Sequence, residues 1–272
     1  MTRFVALGDS LTEGVGDPHP AWPNGLRGWA DRFAARLSVE DPLVEYANLA
    51  LRGRTARDVV VDQLPAALRL QPDVVTVWAG GNDILRPVVR LDDVLASVEH
   101  ALDRLAGTVG TVVVFTGFEL SGSPVLRPVS SRVRALNAGL REVARARGVL
   151  VADVSGRQEW ADRRLWAPDR VHPSPLGHER LASIVGSVLG LGPPATPDVA
   201  GLPSPPRRLA ASAREELLWW REHVAPHVRR WASGASRREA VPPKWIEPVR
   251  PAGSAPWFGS DNDPARTSVQ PH

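Results

Sequence analysis

The chain has 272 residues, of which 43% are apolar, and this length allows one large α/β domain or one domain with an appendage. Its 33 basic and 30 acidic residues give a net charge of +3, and this near balance argues against a dedicated nucleic-acid-binding protein. The absence of cysteine excludes disulfides, cysteine–zinc sites and a thiol nucleophile.

Short apolar runs alternate with helical patterns as far as residue 190. The apolar runs are continuous, which is typical of strands buried on both faces, and they span residues 4–7, 43–48, 74–78, 111–116 and 149–154. The helical patterns span residues 28–37, 56–70, 91–105, 129–147 and 175–189. This alternation predicts an α/β fold with a parallel five-stranded sheet and helices on both faces.

The composition changes after residue 190, so we interpret residues 1–190 as the domain that carries the chemistry. Residues 191–208 are predicted to be a proline-rich linker, and residues 209–231 an amphipathic helical segment. We expect this segment to dock onto the protein's own domain, with binding to a partner or a membrane surface as the alternative. Residues 232–272 are predicted to be disordered.

No apolar run approaches the ~20 residues of a membrane span. The apolar run at the N-terminus is also too short for the core of a secretory signal. We therefore expect a soluble cytoplasmic protein with no integral membrane span.

The stretch "GDSLTEG" ends the first predicted strand. Gly8 permits a tight turn, and Ser10 begins the next helical turn beside unpaired backbone N–H groups that can stabilise an oxyanion. Because sites in parallel sheets form at the carboxyl ends of the strands, Ser10 is a candidate nucleophile. The alternative is that Asp9 or Ser10 only caps a helix.

A serine nucleophile needs a base, and the base needs an orienting group. Among seven histidines, His172 is the best candidate, because Asp169 precedes it by three residues in a predicted turn. Pro173 restrains His172 to an extended backbone. A capping turn explains the Asp169 and His172 pair equally well on this segment alone. We expect His178, on the last helix, to have a structural role.

Two other strand ends offer donors for an oxyanion. Gly53 lies in "NLALRGRT" after the second strand, and Asn82 lies in "GGND" after the third. Each could instead be an ordinary turn residue. Together with Ser10 and the Asp169/His172 pair, however, they should converge on one edge of the sheet.

The chain therefore contains four blocks in the order "GDSLTEG", "NLALRGRT", "GGND" and "DRVHP". With these blocks in this order, the sequence resembles the GDSL, or SGNH, hydrolase family. The resemblance covers roughly residues 4–189. It implies a flavodoxin-like three-layer α/β/α fold and a serine esterase or lipase activity that needs no metal or other cofactor. One departure is Ala50, where many relatives carry glycine.

The resemblance also implies a role for each matching residue. It implies that Ser10 is the nucleophile, His172 the base and Asp169 its orienting group. It implies an oxyanion hole built from the Ser10 N–H, the Gly53 N–H and the Asn82 side chain. An acyltransferase would use the same residues, and a non-catalytic binding protein on this fold is a third interpretation.

The expected substrate is a small-molecule ester. The loop after the fourth strand, with Leu120, Val125 and Leu126, is predicted to line its pocket, which would suit a short acyl chain, a sugar acetate or a lysophospholipid. Trp22 and Trp29 are candidates for stacking on a sugar, although packing in the core or at its rim is the favoured interpretation. The sequence makes no prediction of the oligomeric state.

Overall fold

A computed structural model gives the structure of the protein and describes residues 2–119, 127–192, 221 and 241–251. Its strands are β1 (Arg3–Gly8), β2 (Glu45–Asn48), β3 (Val74–Trp78), β4 (Thr111–Phe115), β5 (Leu150–Ala152) and β6 (Trp245–Val249). Its helices are α1 (Ser10–Glu13), α2 (Gly28–Glu40), α3 (Ala56–Asp58), α4 (Leu64–Arg69), α5 (Gly81–Ile84), α6 (Leu91–Ala106), α7 (Arg127–Arg147) and α8 (Pro175–Val188). A π-helical turn, Val59–Gln63, joins α3 to α4.

The strands form one sheet in the order β5-β4-β3-β1-β2-β6, and β1 to β5 are mutually parallel. The direction of winding reverses between β1 and β3, which is the flavodoxin-like arrangement. Crevices at such a point form outside the carboxyl ends of the strands. The predicted three-layer α/β/α class is confirmed.

The sheet is buried on both faces, and β1 shows how its sequence serves both. Val5 and Leu7 point into the apolar layer shared with α6 and α7, while Phe4 and Ala6 point into the layer shared with α2 and α8. A run that is apolar at every position is therefore required, because each face of the strand packs against helices. These two layers hold the carboxyl ends of the strands in fixed relative positions.

The aromatic residues of the second layer form a connected group. Trp78, at the end of β3, stacks on Phe115 with ring centroids 4.3 Å apart, and Trp29 lies 4.8 Å from Phe115. Trp22 and Trp29 are both buried, so neither is placed to stack on a sugar. The interpretation that they pack in the core is confirmed.

The prediction of a five-stranded sheet and a disordered tail is wrong at one place, because residues 245–249 form a sixth strand. This strand, β6, pairs antiparallel with β2 and becomes the edge of the sheet. Pro248 does not prevent pairing, because an edge strand leaves half of its backbone groups unpaired in any case. The sheet therefore does not end with residue 190.

A buried ion pair holds β6 in place. Lys244, the only lysine of the chain, is bonded through Nζ to the Asp31 carboxylate, and both side chains are fully buried. The indole N–H of Trp245 donates to the other Asp31 oxygen at 3.0 Å. These contacts join β6 to α2 across 213 positions of sequence, a distance over which no local pattern operates.

Other sequence-based interpretations fall outside the described residues. They are the linker beyond residue 192, the amphipathic segment 209–231 apart from residue 221, and residues 120–126 of the pocket loop. Within the described ranges, no helix is both long and apolar enough to cross a membrane.

Candidate active site

Ser10 is the first residue of α1 and follows β1 directly. Asp9 caps this short helix, with its Oδ1 accepting the Leu11 N–H at 3.0 Å. Gly8 binds the side-chain amide of Gln63 through both its backbone N–H and its carbonyl, each at 2.8 Å. The Leu51 N–H, just beyond β2, also donates to the Gly8 carbonyl at 3.3 Å, and together these bonds fix the turn that presents Ser10.

The Ser10 hydroxyl, the His172 ring and the Asp169 carboxylate form a continuous hydrogen-bonded chain. Ser10 Oγ lies 2.9 Å from His172 Nε2, and His172 Nδ1 lies 2.6 Å from Asp169 Oδ2. His172 is buried, while Ser10 and Asp169 are partly exposed. The structure thus brings together three residues that the sequence separates by up to 162 positions.

A tight turn before α8 sets the positions of Asp169 and His172. The Ala167 N–H donates to the His172 carbonyl at 2.8 Å, and this closes the turn. Asp169 Oδ1 accepts the backbone N–H groups of Val171 and His172 at 2.9 and 3.0 Å. Arg170 between them has φ +56°, a left-handed conformation that is unusual for a residue with a side chain.

The environment of Asp169 favours its ionised form. Partial burial by itself would raise the pKa of this carboxyl group. The hydrogen bond and charge of His172, together with the two backbone N–H donors, outweigh burial and hold the pKa of Asp169 well below its usual range. Asp169 is therefore a carboxylate at neutral pH and can stabilise a positive charge on the His172 ring.

Gly16 allows the turn with His172 to lie close to the loop after α1. Its φ is +101°, and a Cβ there would collide with the Pro173 carbonyl oxygen and approach the His172 Cβ. A side chain at this position would push His172 away from Ser10.

Gly53 and Asn82 lie at the ends of β2 and β3, as predicted from the sequence. Gly53 has φ +77° in a turn closed by the Arg54 N–H, which donates to the Leu51 carbonyl at 3.4 Å. Within the described part of the chain, neither the Ser10 N–H nor the Gly53 N–H donates a hydrogen bond. Both backbone donors are thus available to a bound group.

Asn82 is bonded to two of the neighbouring loops. Its Nδ2 donates to Asp9 Oδ2 at 3.0 Å and to the Arg54 carbonyl at 3.0 Å. Asp9 is almost fully buried, and this burial raises its pKa to about 7, despite the hydrogen bond from Leu11. No local sequence pattern indicates this link between the residue before Ser10 and the third block.

His178 has a structural position, as expected. It is fully buried on α8, where its Nδ1 accepts the Trp29 N–H at 3.1 Å and its Nε2 donates to the Val15 carbonyl at 3.0 Å. These contacts require the neutral ring with the proton on Nε2. Among the described residues, no group of three or more histidine, aspartate or glutamate side chains is arranged to hold a metal ion.

Comparison with known proteins gives one family and several fold relatives. Residues 6–180 match the GDSL-like Lipase/Acylhydrolase family. LAE5, an α/β hydrolase enzyme from the metagenome of Lake Arreo in Spain, is 24% identical with a TM-score of 0.58, over 70% of this chain and 95% of that one. Axe2, an acetylxylan esterase from Geobacillus stearothermophilus, is 22% identical with a TM-score of 0.60, over 70% and 94%.

Among curated proteins, the chain is similar to hydroxyethylthiazole kinase of Cereibacter sphaeroides, with 31% identity over 154 residues. This match covers 53% of the chain and 58% of the kinase, so the chain spans less than two thirds of the length of these curated relatives. The solved structures, at less than 25% identity, show the fold alone.

The fold and the position of the site define a flavodoxin-like α/β/α protein with a polar site at the switch point between β1 and β3. The family match spans well over half of the chain and contains all four sequence blocks. The chain therefore belongs to the GDSL-like lipase/acylhydrolase family.

Proposed function

We propose that the protein hydrolyses carboxylic esters of small molecules through an acyl-enzyme intermediate on Ser10. The observation that carries this proposal is the hydrogen-bonded chain from Ser10 Oγ through His172 to Asp169, with links of 2.9 and 2.6 Å. A hydroxyl is a weak nucleophile until a neighbouring base removes its proton, and the chain provides that base.

The proton of Ser10 moves only as far as the His172 ring. In the neutral ring, Nδ1 carries the proton and its N–H donates a hydrogen bond to Asp169, so the Nε2 lone pair faces the Ser10 hydroxyl. As Ser10 Oγ bonds to the ester carbonyl carbon, its proton passes to His172 Nε2. Asp169 stays ionised and stabilises the resulting imidazolium.

Two chemical steps complete the turnover. The tetrahedral intermediate breaks its bond to the alcohol oxygen, which takes the proton from His172 and leaves as the alcohol. Water then attacks the acyl-enzyme and gives its proton to the same nitrogen. The carboxylic acid leaves, Ser10 recovers its proton, and no metal or cofactor takes part.

The oxyanion formed in each step needs hydrogen-bond donors. We assign this role to the backbone N–H groups of Ser10 and Gly53 and to the side-chain amide of Asn82. The first two donate no hydrogen bond within the described part of the chain, which supports the assignment. Asn82 must exchange its bond to Asp9 or to the Arg54 carbonyl in order to reach the oxyanion.

The fold relatives support this chemistry. Three further structures of Axe2 are described as catalytic mutants, in which an aspartate, a histidine and a serine are each replaced by alanine. Because Axe2 acts as an acetylxylan esterase, we infer that this protein also prefers a short acyl group. The match to the kinase covers little more than half of each chain, so we infer no kinase activity from it. The cytoplasmic location stays a prediction from the sequence.

The experiment is a series of p-nitrophenyl esters from acetate to palmitate with the purified chain. We expect turnover of the short esters and its loss in Ser10→Ala, because no other group in the chain of hydrogen bonds can take over the attack. Ser97→Ala is the matched control, since the partly exposed Ser97 hydroxyl donates to the Asp93 carbonyl of its own helix, α6. Turnover that survives in Ser10→Ala would exclude Ser10 as the nucleophile.

An acyltransferase remains the alternative, because an alcohol can replace water in the second step. Adding a competing alcohol to the same assay distinguishes the two functions. Free acid as the main product supports hydrolysis, whereas a new ester as the main product supports transfer.

A further inference from the structure

Glu13, the last residue of α1, has a fully buried carboxylate beside the proposed oxyanion hole. Its Oε1 accepts hydrogen bonds from Arg52 Nη2 at 2.6 Å and from Asn24 Nδ2 at 3.3 Å. Its Oε2 accepts the backbone N–H of Arg52 at 2.7 Å and Arg52 Nε at 3.0 Å. One carboxylate thus holds both the main chain and the side chain of the same arginine.

This arrangement differs from an ordinary surface ion pair. The Arg52 side chain is 42% exposed, whereas Glu13 is completely removed from water. A buried carboxylate is costly unless its oxygens are all bonded, and here the donors come from Arg52 and Asn24. The shortest contact to Oε2 is from a backbone N–H, so the geometry fixes the loop and not only the arginine head group.

Arg52 is the residue directly before Gly53. The peptide unit between them contains the N–H that we assign to the oxyanion hole, and the torsions of Arg52 orient that unit. Glu13 accepts hydrogen bonds from the backbone N–H of Arg52 and from the Arg52 side chain, so that Arg52 is held on two sides of its Cα atom. Gly53, with φ +77°, would be mobile by itself because glycine allows many backbone conformations.

We propose that Glu13 is a positioning residue that fixes the Gly53 N–H relative to Ser10. Ser10 and Glu13 are the two ends of α1, which is a single turn closed by the bond from the Gly14 N–H to the Ser10 carbonyl at 3.1 Å. The nucleophile and the clamp on the oxyanion loop therefore belong to one rigid unit. This inference rests on the proposed function, because it assigns a role in the same site.

The C-terminal segment is linked to this unit. Asn24 Nδ2 donates to Glu13 and also to the Pro242 carbonyl at 3.1 Å, just before β6. The segment that lies beyond the family match is therefore joined to the oxyanion loop by a chain of hydrogen bonds.

The test compares Glu13→Gln with wild type in ester hydrolysis, with rates expressed per folded molecule. Glutamine replaces one acceptor oxygen with an NH₂ group that faces the donors of Arg52, so the loop loses its clamp. We expect kcat to fall by about 10- to 100-fold, since a small misplacement of a transition-state donor has an effect of this order. KM should change by less than about threefold, because the donor acts mainly in the transition state.

The control is Glu45→Gln, which breaks another glutamate–arginine pair, between Glu45 and Arg3, at the amino ends of β1 and β2 and away from Ser10. We expect this change to lower the unfolding temperature but to leave kcat unchanged. If Glu13→Gln does not fold, the double variant Glu13→Gln/Arg52→Met replaces it, because it also removes the guanidinium group that the glutamine NH₂ would face. The same fall in kcat is expected.

A folded Glu13→Gln or double variant with wild-type kcat would overturn the proposal, and so would an equal loss of kcat in Glu45→Gln. Reaction of Ser10 with a fluorophosphonate probe distinguishes a failure of the proposed function from a failure of the positioning role of Glu13. If wild type hydrolyses no ester and Ser10 is not labelled, the proposed function itself fails. If wild type is active and labelled while the Glu13 variants keep full kcat, only the positioning role fails.

Discussion

Asn82 shows how closely the proposed oxyanion hole is linked to the turn that carries Ser10, the proposed nucleophile. Both amide hydrogens are used, one by Asp9 and one by the Arg54 carbonyl, so an oxyanion has to compete with one of them. Asp9 is the weaker competitor when it is protonated, and burial raises its pKa to about 7. Near pH 7, Asp9 is therefore protonated in part of the molecules, and in that form it holds the Asn82 amide less strongly.

We expect Asn82→Ala to lower kcat by roughly 10²–10³, the usual effect of removing one oxyanion donor. KM should change much less, because the ground-state carbonyl needs the donor less than the transition state does. Steady-state kinetics on a short-chain ester measure both values. A normal kcat with a raised KM would make Asn82 a substrate-binding residue instead.

Two side-chain amides bond the backbone of the residues that follow or end a strand at the carboxyl side of the sheet. Gln63 binds both backbone groups of Gly8 beyond the end of β2, and Asn137 binds the N–H and carbonyl of Gly117 at 2.7 and 2.9 Å beyond β4. Each fixes a loop at the carboxyl edge of the sheet, where the candidate site lies.

The edge strand β6 depends on a buried ion pair, and this leads to a stability prediction. Lys244→Met would leave Asp31 buried without its cation, which costs about 3–5 kcal/mol in comparable cases. The double variant Lys244→Met/Asp31→Asn should regain a large part of that loss, because neither charge remains. Urea denaturation of wild type and both variants measures the free energy of unfolding.

An exposed pair provides the control for this prediction. Arg90 and Asp93 are 78% and 68% exposed, so Asp93→Asn should hardly change stability. If Lys244→Met were as stable as wild type, β6 would not depend on the ion pair. A double variant as unstable as the single one would show that the lysine acts through its packing and not through its charge.

The sequence predicts the elements that depend on local patterns, and β6 shows where such patterns end. The strands β1, β3, β4 and β5 are mostly apolar runs and alternate with helical patterns, so their existence and parallel direction can be predicted from the sequence. The run "WIEPV" contains a proline and a glutamate, and its strand forms only because β2 and Asp31, about 200 positions away, provide partners.

The candidate site shows the same division between local and long-range information. Ser10, Gly53, Asn82, Asp169 and His172 were found because each lies in a recognisable block at a strand end or before a helix. Glu13 lies inside the first block, but its significance appears only when Arg52, 39 positions later, is brought next to it. Contacts of this kind depend on the assembled sheet and have no signature in the chain.

At the scale of the whole molecule, His178 joins α8, α2 and the loop after α1. Burial is the main cause that lowers its pKa from 6.5 to about 4. Between these two pH values the unfolded chain binds a proton at this position and the folded protein does not. The contribution of His178 to stability is therefore fully present above pH 6.5 and is lost as the pH falls towards 4.

We expect His178→Gln to flatten this part of the pH dependence, because glutamine can keep both hydrogen bonds without titrating. The measurement is the free energy of unfolding in urea at several pH values from 4 to 7. Asp9 has a raised pKa, so its contribution to the free energy of unfolding increases as the pH falls over this range. This contribution is the same in wild type and in His178→Gln. His100 lies at an exposed position on α6, and His100→Gln is the control, in which the pH dependence of the free energy of unfolding should stay as in wild type. An unchanged pH dependence in His178→Gln would contradict the proposed role of His178.

The proposed function depends above all on the assignment of Ser10 as the nucleophile. The most direct measurement is mass spectrometry of the protein after reaction with a fluorophosphonate probe, first intact and then as peptides. We predict a single adduct, located on Ser10, whose formation is abolished in Ser10→Ala and slowed in His172→Ala. An adduct on another residue, or no adduct on an enzyme that hydrolyses esters, would contradict the account.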